Sequence, residues 1–149
     1  MKLLMLMLTS ALLVTTATYN DSLSGSQTAA SEAEGLAVNL TATGDLPGMI
    51  KLTLVRSDSS VTGGHLTMTV LPPNADASSS ERGTLNGSVS SGTITLNGNG
   101  TVASASSVQV SIQSGTGEFA NVSSGTATVN ISANADNASQ LSGTLVLNF

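Results

Sequence analysis

The stretch SVQVSIQSGTGEFANVSSGTATVNI, residues 107–131, holds the clearest folding signal in the chain. Apolar residues occupy every second position on both sides of its centre: Val108, Val110 and Ile112 before it, and Ala127, Val129 and Ile131 after it. Because successive side chains of a β-strand point to opposite faces, each run has one apolar face and one polar face. The stretch therefore predicts two strands joined by a corner at residues 115–120.

The segment GTGEFA, residues 115–120, also matches G-x-G-x-x-A, a permitted form of the dinucleotide-binding fingerprint. Asp136 follows at about the distance at which that fingerprint has an acid for the ribose. The fingerprint requires a helix that opens inside it, however, and the following residues alternate Thr, Val and Ile in the manner of a strand. We therefore interpret the segment as a turn, in which Gly115 and Gly117 relieve backbone crowding and Phe119 enters the core.

The same corner carries a family resemblance, through Gly115, Thr116, Gly117, Phe119, Gly125 and Thr126. This G-T-G-x-F…G-T pattern, over residues 115–126, resembles the corner of the allene oxide cyclase-like and dirigent-like barrels. The resemblance implies an eight-stranded antiparallel barrel with an apolar ligand in its mouth. The chain departs from those families in lacking an aromatic-lined cavity, since Phe119 and Phe149 are its only phenylalanines. No catalytic residue is carried over.

Similar alternation recurs outward from the corner, at residues 36–41, 50–54, 66–70 and 144–149, with weaker strands at 84–89, 93–96 and 101–105. Asn-Gly pairs at 86–87, 97–98 and 99–100 can supply the positive φ angles of tight hairpins. These signals predict an all-β fold, an antiparallel β-barrel or β-sandwich of about 8–9 short strands.

The N-terminal part has a different character. Lys2 precedes the apolar run Leu3–Val14, and small residues follow, which is typical of a secretory signal peptide. We predict a signal peptide over residues 1–17, cleaved near Ala17. Residues 18–35 are small, polar and without period, which predicts a flexible spacer. Residues 36–149 then form a single antiparallel β domain.

Composition excludes several chemistries. The chain of 149 residues has no cysteine, so disulfides, a thiol nucleophile and a Cys metal site are excluded. Its formal net charge is −5, with four Lys and Arg that form no cluster. Nucleic acids and anionic membranes attract basic patches, and neither is expected as a partner. We predict a secreted, extracellular or periplasmic protein with an unidentified extracellular or cell-envelope partner.

The one histidine, His65, would have to serve any Ser-His-Asp apparatus. It follows Gly63-Gly64 at a predicted strand start, and no G-x-S-x-G elbow accompanies it. We interpret His65 as a half-exposed structural residue. A single histidine without cysteine also cannot build the usual zinc site.

The acidic residues are a second set of candidate metal-binding or catalytic side chains. Glu32 and Glu34 fall in the predicted spacer, and two loops combine acids with Asn: Asn74, Asp76 and Glu81 in one, and Asn134, Asp136 and Asn137 in the other. Either loop is a conceivable weak calcium site, but Asx-rich turns have the same composition. Sugar hydrolysis would also need aromatic platforms, and the chain has no Trp and only Tyr19. No catalytic, cofactor-binding or metal-ligating residue, and no cofactor, is therefore assigned.

N-x-S/T sequons are present at positions that include Asn39, Asn86, Asn99, Asn121, Asn130 and Asn137. They matter only in a eukaryotic secretory pathway.

The lack of a thiol, of a second histidine and of aromatic sugar platforms favours a secreted, non-enzymatic β domain that binds an extracellular partner or has a structural role. One alternative is an allene oxide cyclase-like barrel that binds a small apolar ligand, with His65, Arg56 or Glu118 at its mouth. A second alternative is a small outer-membrane β-barrel, which would need strands longer than these runs and girdles of Trp or Tyr.

Overall fold

A computed structural model describes residues 16–27, 35–75 and 79–149, and these form a closed antiparallel β-barrel. Its eight strands are β1 (Thr18–Gln27), β2 (Leu36–Gly44), β3 (Gly48–Ser57), β4 (Ser60–Val70), β5 (Gly83–Leu96), β6 (Val102–Gly115), β7 (Gly125–Ala133) and β8 (Gln140–Asn148). Each strand pairs with the next along the chain, and β8 pairs with β1. The prediction of an all-β antiparallel fold is confirmed, and of its two forms the barrel is the one observed.

The apolar faces of the strands point into the barrel. Along β2, buried and exposed residues alternate, and the side chains of Leu52, Leu54 and Leu66 on β3 and β4 are almost fully buried. Leu, Val and Ile side chains from all eight strands form one continuous core. Burying this apolar surface is the main contribution that the sequence makes to closing the barrel.

Strand β1 lies in the segment that was predicted to be a flexible spacer. Residues 18–27 are hydrogen-bonded to both β2 and β8, so the β domain begins at Thr18 rather than at residue 36. The prediction was wrong because the buried positions of β1 are Asp21, Leu23 and Gln27, of which only Leu23 is aliphatic. Residues 28–34, with Glu32 and Glu34, and residues 1–15 of the predicted signal peptide lie outside the described residues.

The strands are also longer than the alternating runs indicated. β5 and β6 have 14 residues each, and each combines segments predicted as separate strands. Asn86-Gly87 was predicted as a turn, and this prediction was wrong, because the pair lies inside β5. A Cβ atom on Gly87 would be 2.7 Å from a side-chain carbon of Val110. Close packing of the core therefore explains this glycine. The other two Asn-Gly pairs lie in the turn between β5 and β6, as predicted.

The connections divide between two ends of the barrel. We call the end with residues 45–47, the β4–β5 loop, the 115–120 segment and Phe149 the corner end. The other end, with the β3–β4, β5–β6 and β7–β8 turns, we call the hairpin end. In the described part of the chain, no helix is long and apolar enough to cross a membrane.

Candidate functional site

The segment at residues 115–120 is a turn and not a nucleotide site. Gly117–Phe119 form one turn of 3₁₀ helix, with hydrogen bonds from the Phe119 and Ala120 N–H groups to the carbonyl oxygens of Thr116 and Gly117. A dinucleotide fingerprint needs a full helix there, with its N-terminus facing the pyrophosphate. Asp136 lies in the β7–β8 connection, at the hairpin end, and so cannot complete such a site. The interpretation as a corner is confirmed.

Backbone geometry fixes the residue types of this corner. Gly117 has φ of 60°, and a Cβ atom there would contact the Arg82 carbonyl oxygen and lie 2.9 Å from the Cα atom of Gly83. The Glu118 N–H donates to that same Arg82 oxygen over 2.9 Å. Glycine is therefore required at residue 117 because the left-handed conformation and the close approach of the β4–β5 loop occur together.

The corner end also gathers all three aromatic residues of the chain. Tyr19 stacks on Phe149 with ring centroids 5.0 Å apart, and Phe149 meets Phe119 edge to face at 6.0 Å. Arg82 lies over the Phe119 ring and forms an ion pair with Glu118 at 2.8 Å. Phe119 is only 7% exposed, as the corner interpretation predicts. Tyr19 was not expected in this cluster, because residues 18–35 were interpreted as a spacer.

The three residues considered for a cavity mouth lie in three different places. His65 is exposed on the outer wall, where β4 pairs with Thr53 of β3 and Ser88 of β5. Arg56 is near the β3–β4 turn and donates to the carbonyl oxygen of Asp58. Glu118 is at the corner end. The fold brings no two of them together, so they do not form a shared site.

The acidic loops form local turns. Asn137 Oδ1 accepts from the N–H and the hydroxyl of Ser139, at 3.1 and 2.6 Å, as in an Asx turn. Asp136 is exposed beside them, and Glu81 is exposed in the β4–β5 loop, where Asp76 lies outside the described residues. Across the described ranges, no group of three His, Asp or Glu side chains is arranged to hold a metal ion.

Asp21 is a buried acid that sequence analysis missed. Its side chain points into the corner end from β1 and is 4% exposed. Oδ1 accepts the Leu46 N–H at 2.9 Å, and within the described residues Oδ2 is buried without a hydrogen-bond partner. Burial raises the pKa of Asp21; the Leu46 hydrogen bond opposes this effect, and the charge of Asp45 adds to it.

A groove of about 600 Å³ crosses the outer wall over the first four strands. We call it the β1–β4 groove. One row of outward side chains across it is Ser26, Asn39, Lys51 and Thr67, and a second row is Thr41, Met49 and Thr69. The Met49 side chain is 61% exposed, the largest exposure of a bulky apolar residue in the described chain. Lys51 is the only charged residue in its lining.

The groove could not have been located from the sequence. Its residues come from four strands and meet only through the strand register, and one of those strands was assigned to the spacer. The signal available in the sequence was local: Met49 and Lys51 are bulky outward residues of β3 on either side of the buried Ile50.

The sequons differ in accessibility. Asn39, Asn99, Asn121 and Asn137 are exposed. Asn130 is half-buried, and its Oδ1 accepts the Ser107 N–H at 2.8 Å. Asn86 Oδ1 accepts the Thr67 hydroxyl at 3.2 Å.

Comparisons with known proteins give this chain no relative. No family model, no curated protein and no solved structure matches it.

Proposed function

We propose that this protein is a secreted, non-enzymatic binding module that contacts an extracellular or cell-envelope partner through the outer wall of its barrel. One observation carries the proposal: aliphatic side chains fill the barrel, while hydroxyl and amide side chains cover its outside. The surface available for recognition is therefore external, and the β1–β4 groove is a concave part of it that combines apolar and polar side chains.

Secretion fits the way in which β1 begins. The backbone of Ala17 exchanges two hydrogen bonds with Phe149, and Thr18 is the first residue of β1. Cleavage of the predicted signal near Ala17 would leave all of β1 in the mature protein. A cut a few residues later would remove part of a strand that closes the barrel.

The interior offers less support to the apolar-ligand alternative. Leu85, Leu145 and Leu147, from β5 and β8, are fully buried within the continuous aliphatic core. A carrier or isomerase of the allene oxide cyclase-like type would instead need open apolar space at the mouth. The three rings of the aromatic cluster at the corner end are packed against one another and are not spaced around a cavity.

The outer-membrane alternative conflicts with the direction of the side chains. A membrane-spanning barrel has an apolar band on its outside and a polar interior. Here the apolar residues point inward, and the outward positions of β2 and β3 include Asn39, Thr41 and Lys51. The observed strands are long enough to cross a membrane, so the orientation of the side chains, and not strand length, disfavours an outer-membrane barrel.

The test combines binding with an activity screen. The predicted mature chain, from Thr18, is mixed with insoluble envelope polysaccharide and sedimented, and its supernatant is assayed for hydrolase and isomerase products. We expect cosedimentation without product, in wild type and in His65→Ala alike, because His65 does not line the groove, although it is exposed on β4 two residues from Thr67.

An activity that the His65→Ala variant loses, with its fold intact by circular dichroism, would contradict the non-enzymatic proposal. An activity that the variant keeps would contradict it as well and would direct attention to Glu118 and Glu81. Absence of both binding and activity across the panel would remove the binding role.

A further inference from the structure

Lys51 has an unusual position for a cation in this protein. Its side chain is exposed in the middle of the β1–β4 groove, between Asn39 of β2 and Thr67 of β4. Within the described chain it makes no hydrogen bond or ion pair, whereas Arg82 is paired with Glu118. The remaining groove lining is uncharged, although the chain as a whole carries −5. The groove is therefore a locally positive strip on an acidic protein.

The neighbours of Lys51 add two other kinds of contact. The side chains of Asn39 and Thr41 can donate and accept hydrogen bonds along the groove, and Thr67 Oγ1, whose hydroxyl donates to Asn86, can still accept one. The exposed Met49 supplies a flexible apolar surface on the same strand, two residues from Lys51. Sugar rings have hydroxyl edges and apolar C–H faces, so this combination suits a saccharide chain with negative groups.

We propose that the β1–β4 groove binds an anionic polysaccharide, with Lys51 pairing with its acidic groups and Met49 contacting a ring face. This inference rests on the proposed binding function and names the partner class and the site. Complementary charge is the argument for an anionic occupant. An added peptide strand is disfavoured because every described strand is already paired on both sides.

The experiment measures binding of the mature chain to three soluble polymers by isothermal titration: polygalacturonate, dextran sulfate and neutral dextran. Lys51→Gln should weaken binding to the anionic polymers about tenfold, as expected for a lost hydrogen bond to a charged group. Lys51→Arg should retain binding. Polygalacturonate and dextran sulfate distinguish carboxylate from sulfate as the preferred group.

A matched control separates the groove from net charge. Thr144→Glu changes the charge by the same single unit as Lys51→Gln, but on an exposed residue of β8, outside the groove. It should leave binding within about twofold of wild type, because screening weakens exposed charges beyond about 10 Å at 0.1 M salt.

Equal loss in Lys51→Gln and Thr144→Glu would overturn the groove assignment. Equal binding of neutral and anionic polymers, unaffected by Lys51→Gln, would overturn the anionic partner while leaving the binding module intact. Absence of binding to all three polymers would overturn this inference; failure of the proposed function itself is read separately, from the sedimentation with envelope polysaccharide.

Discussion

At the scale of single residues, the buried carboxyl of Asp21 makes the stability of the fold depend on pH. Because the pKa of Asp21 is raised in the folded state, its contribution to the free energy of unfolding is complete below the ordinary aspartate pKa. At such pH the carboxyl is protonated in both the folded and the unfolded chain. This contribution declines as the pH rises through the raised value, because ionisation then places a charge in a buried site. Asp21→Asn keeps an oxygen acceptor for the Leu46 N–H and removes the charge.

We therefore expect Asp21→Asn to melt several degrees above wild type at pH 7, and this advantage to shrink as the pH falls to 4. Melting curves by circular dichroism across this range provide the measurement. Asp136→Asn, at an exposed acid of the hairpin end, is the control and should show no such trend. A constant difference between Asp21→Asn and wild type at every pH would show that Asp21 is already ionised without penalty.

Two residues of the corner make a second prediction at this scale. Phe119→Ala should lower the free energy of unfolding by about 3–5 kcal/mol, because it empties a site that Phe149 and Arg82 pack against. Gly117→Ala should lower it by more than about 1 kcal/mol, through the left-handed φ and the contact with the Arg82 carbonyl oxygen. Urea denaturation measures both. The exposed Ser123→Ala, in the same connection, is the control.

If either corner variant were as stable as wild type, the corner would not be the packed anchor that its geometry indicates.

At the scale of elements, β1 is the strand on which closure depends. It pairs with β2 and β8 along its length, and Gln27 at its end donates to the Val102 carbonyl oxygen at 2.6 Å and accepts the Val102 N–H at 2.8 Å. Without β1, the backbone groups of β2 and β8 that face it would lose their partners, and unpaired edges promote aggregation.

A chain that starts at residue 36 should therefore fail to give a cooperative melt and should aggregate, whereas a chain that starts at Ala17 should fold as a monomer. Circular dichroism and size-exclusion chromatography distinguish the two outcomes. A folded, monomeric chain from residue 36 would restore the spacer interpretation of residues 18–35. Replacing Gln27 with Ala in the longer chain is a milder variant, and it should cost about 1–3 kcal/mol by leaving a buried amide unpaired.

The element scale also explains what the sequence could predict. Strands such as β3, with Ile50, Leu52 and Leu54 at alternate positions, are read directly because their buried faces are aliphatic. β1 could not be read, since its inward Asp21 and Gln27 are stabilised by hydrogen bonds that depend on distant residues. The length of β5 was also hidden, because Gly92, with φ of 154°, continues the strand where it resembles a break.

At the scale of the whole molecule, the proposed function assigns stability to the inside of the barrel and recognition to its outside. Packing uses the inside of the barrel, and the groups available to a partner are outside. The candidate site was not predictable, because Lys51 and Met49 gain their neighbours only when β1 to β4 lie side by side in one register. From residue types alone the sequence could limit the available chemistry, since the chain has no cysteine and one histidine.

The central claim is that a partner is bound on the outer wall, and NMR tests it most directly. Backbone amide shifts of the mature chain are recorded during titration with polygalacturonate. We expect shifts concentrated at residues 25–26, 39–41, 49–51, 67 and 69, which line the groove. Shifts concentrated instead at Tyr19, Phe119 and Phe149, or at buried residues such as Leu52, would contradict it and would indicate a ligand at the corner end or inside the barrel.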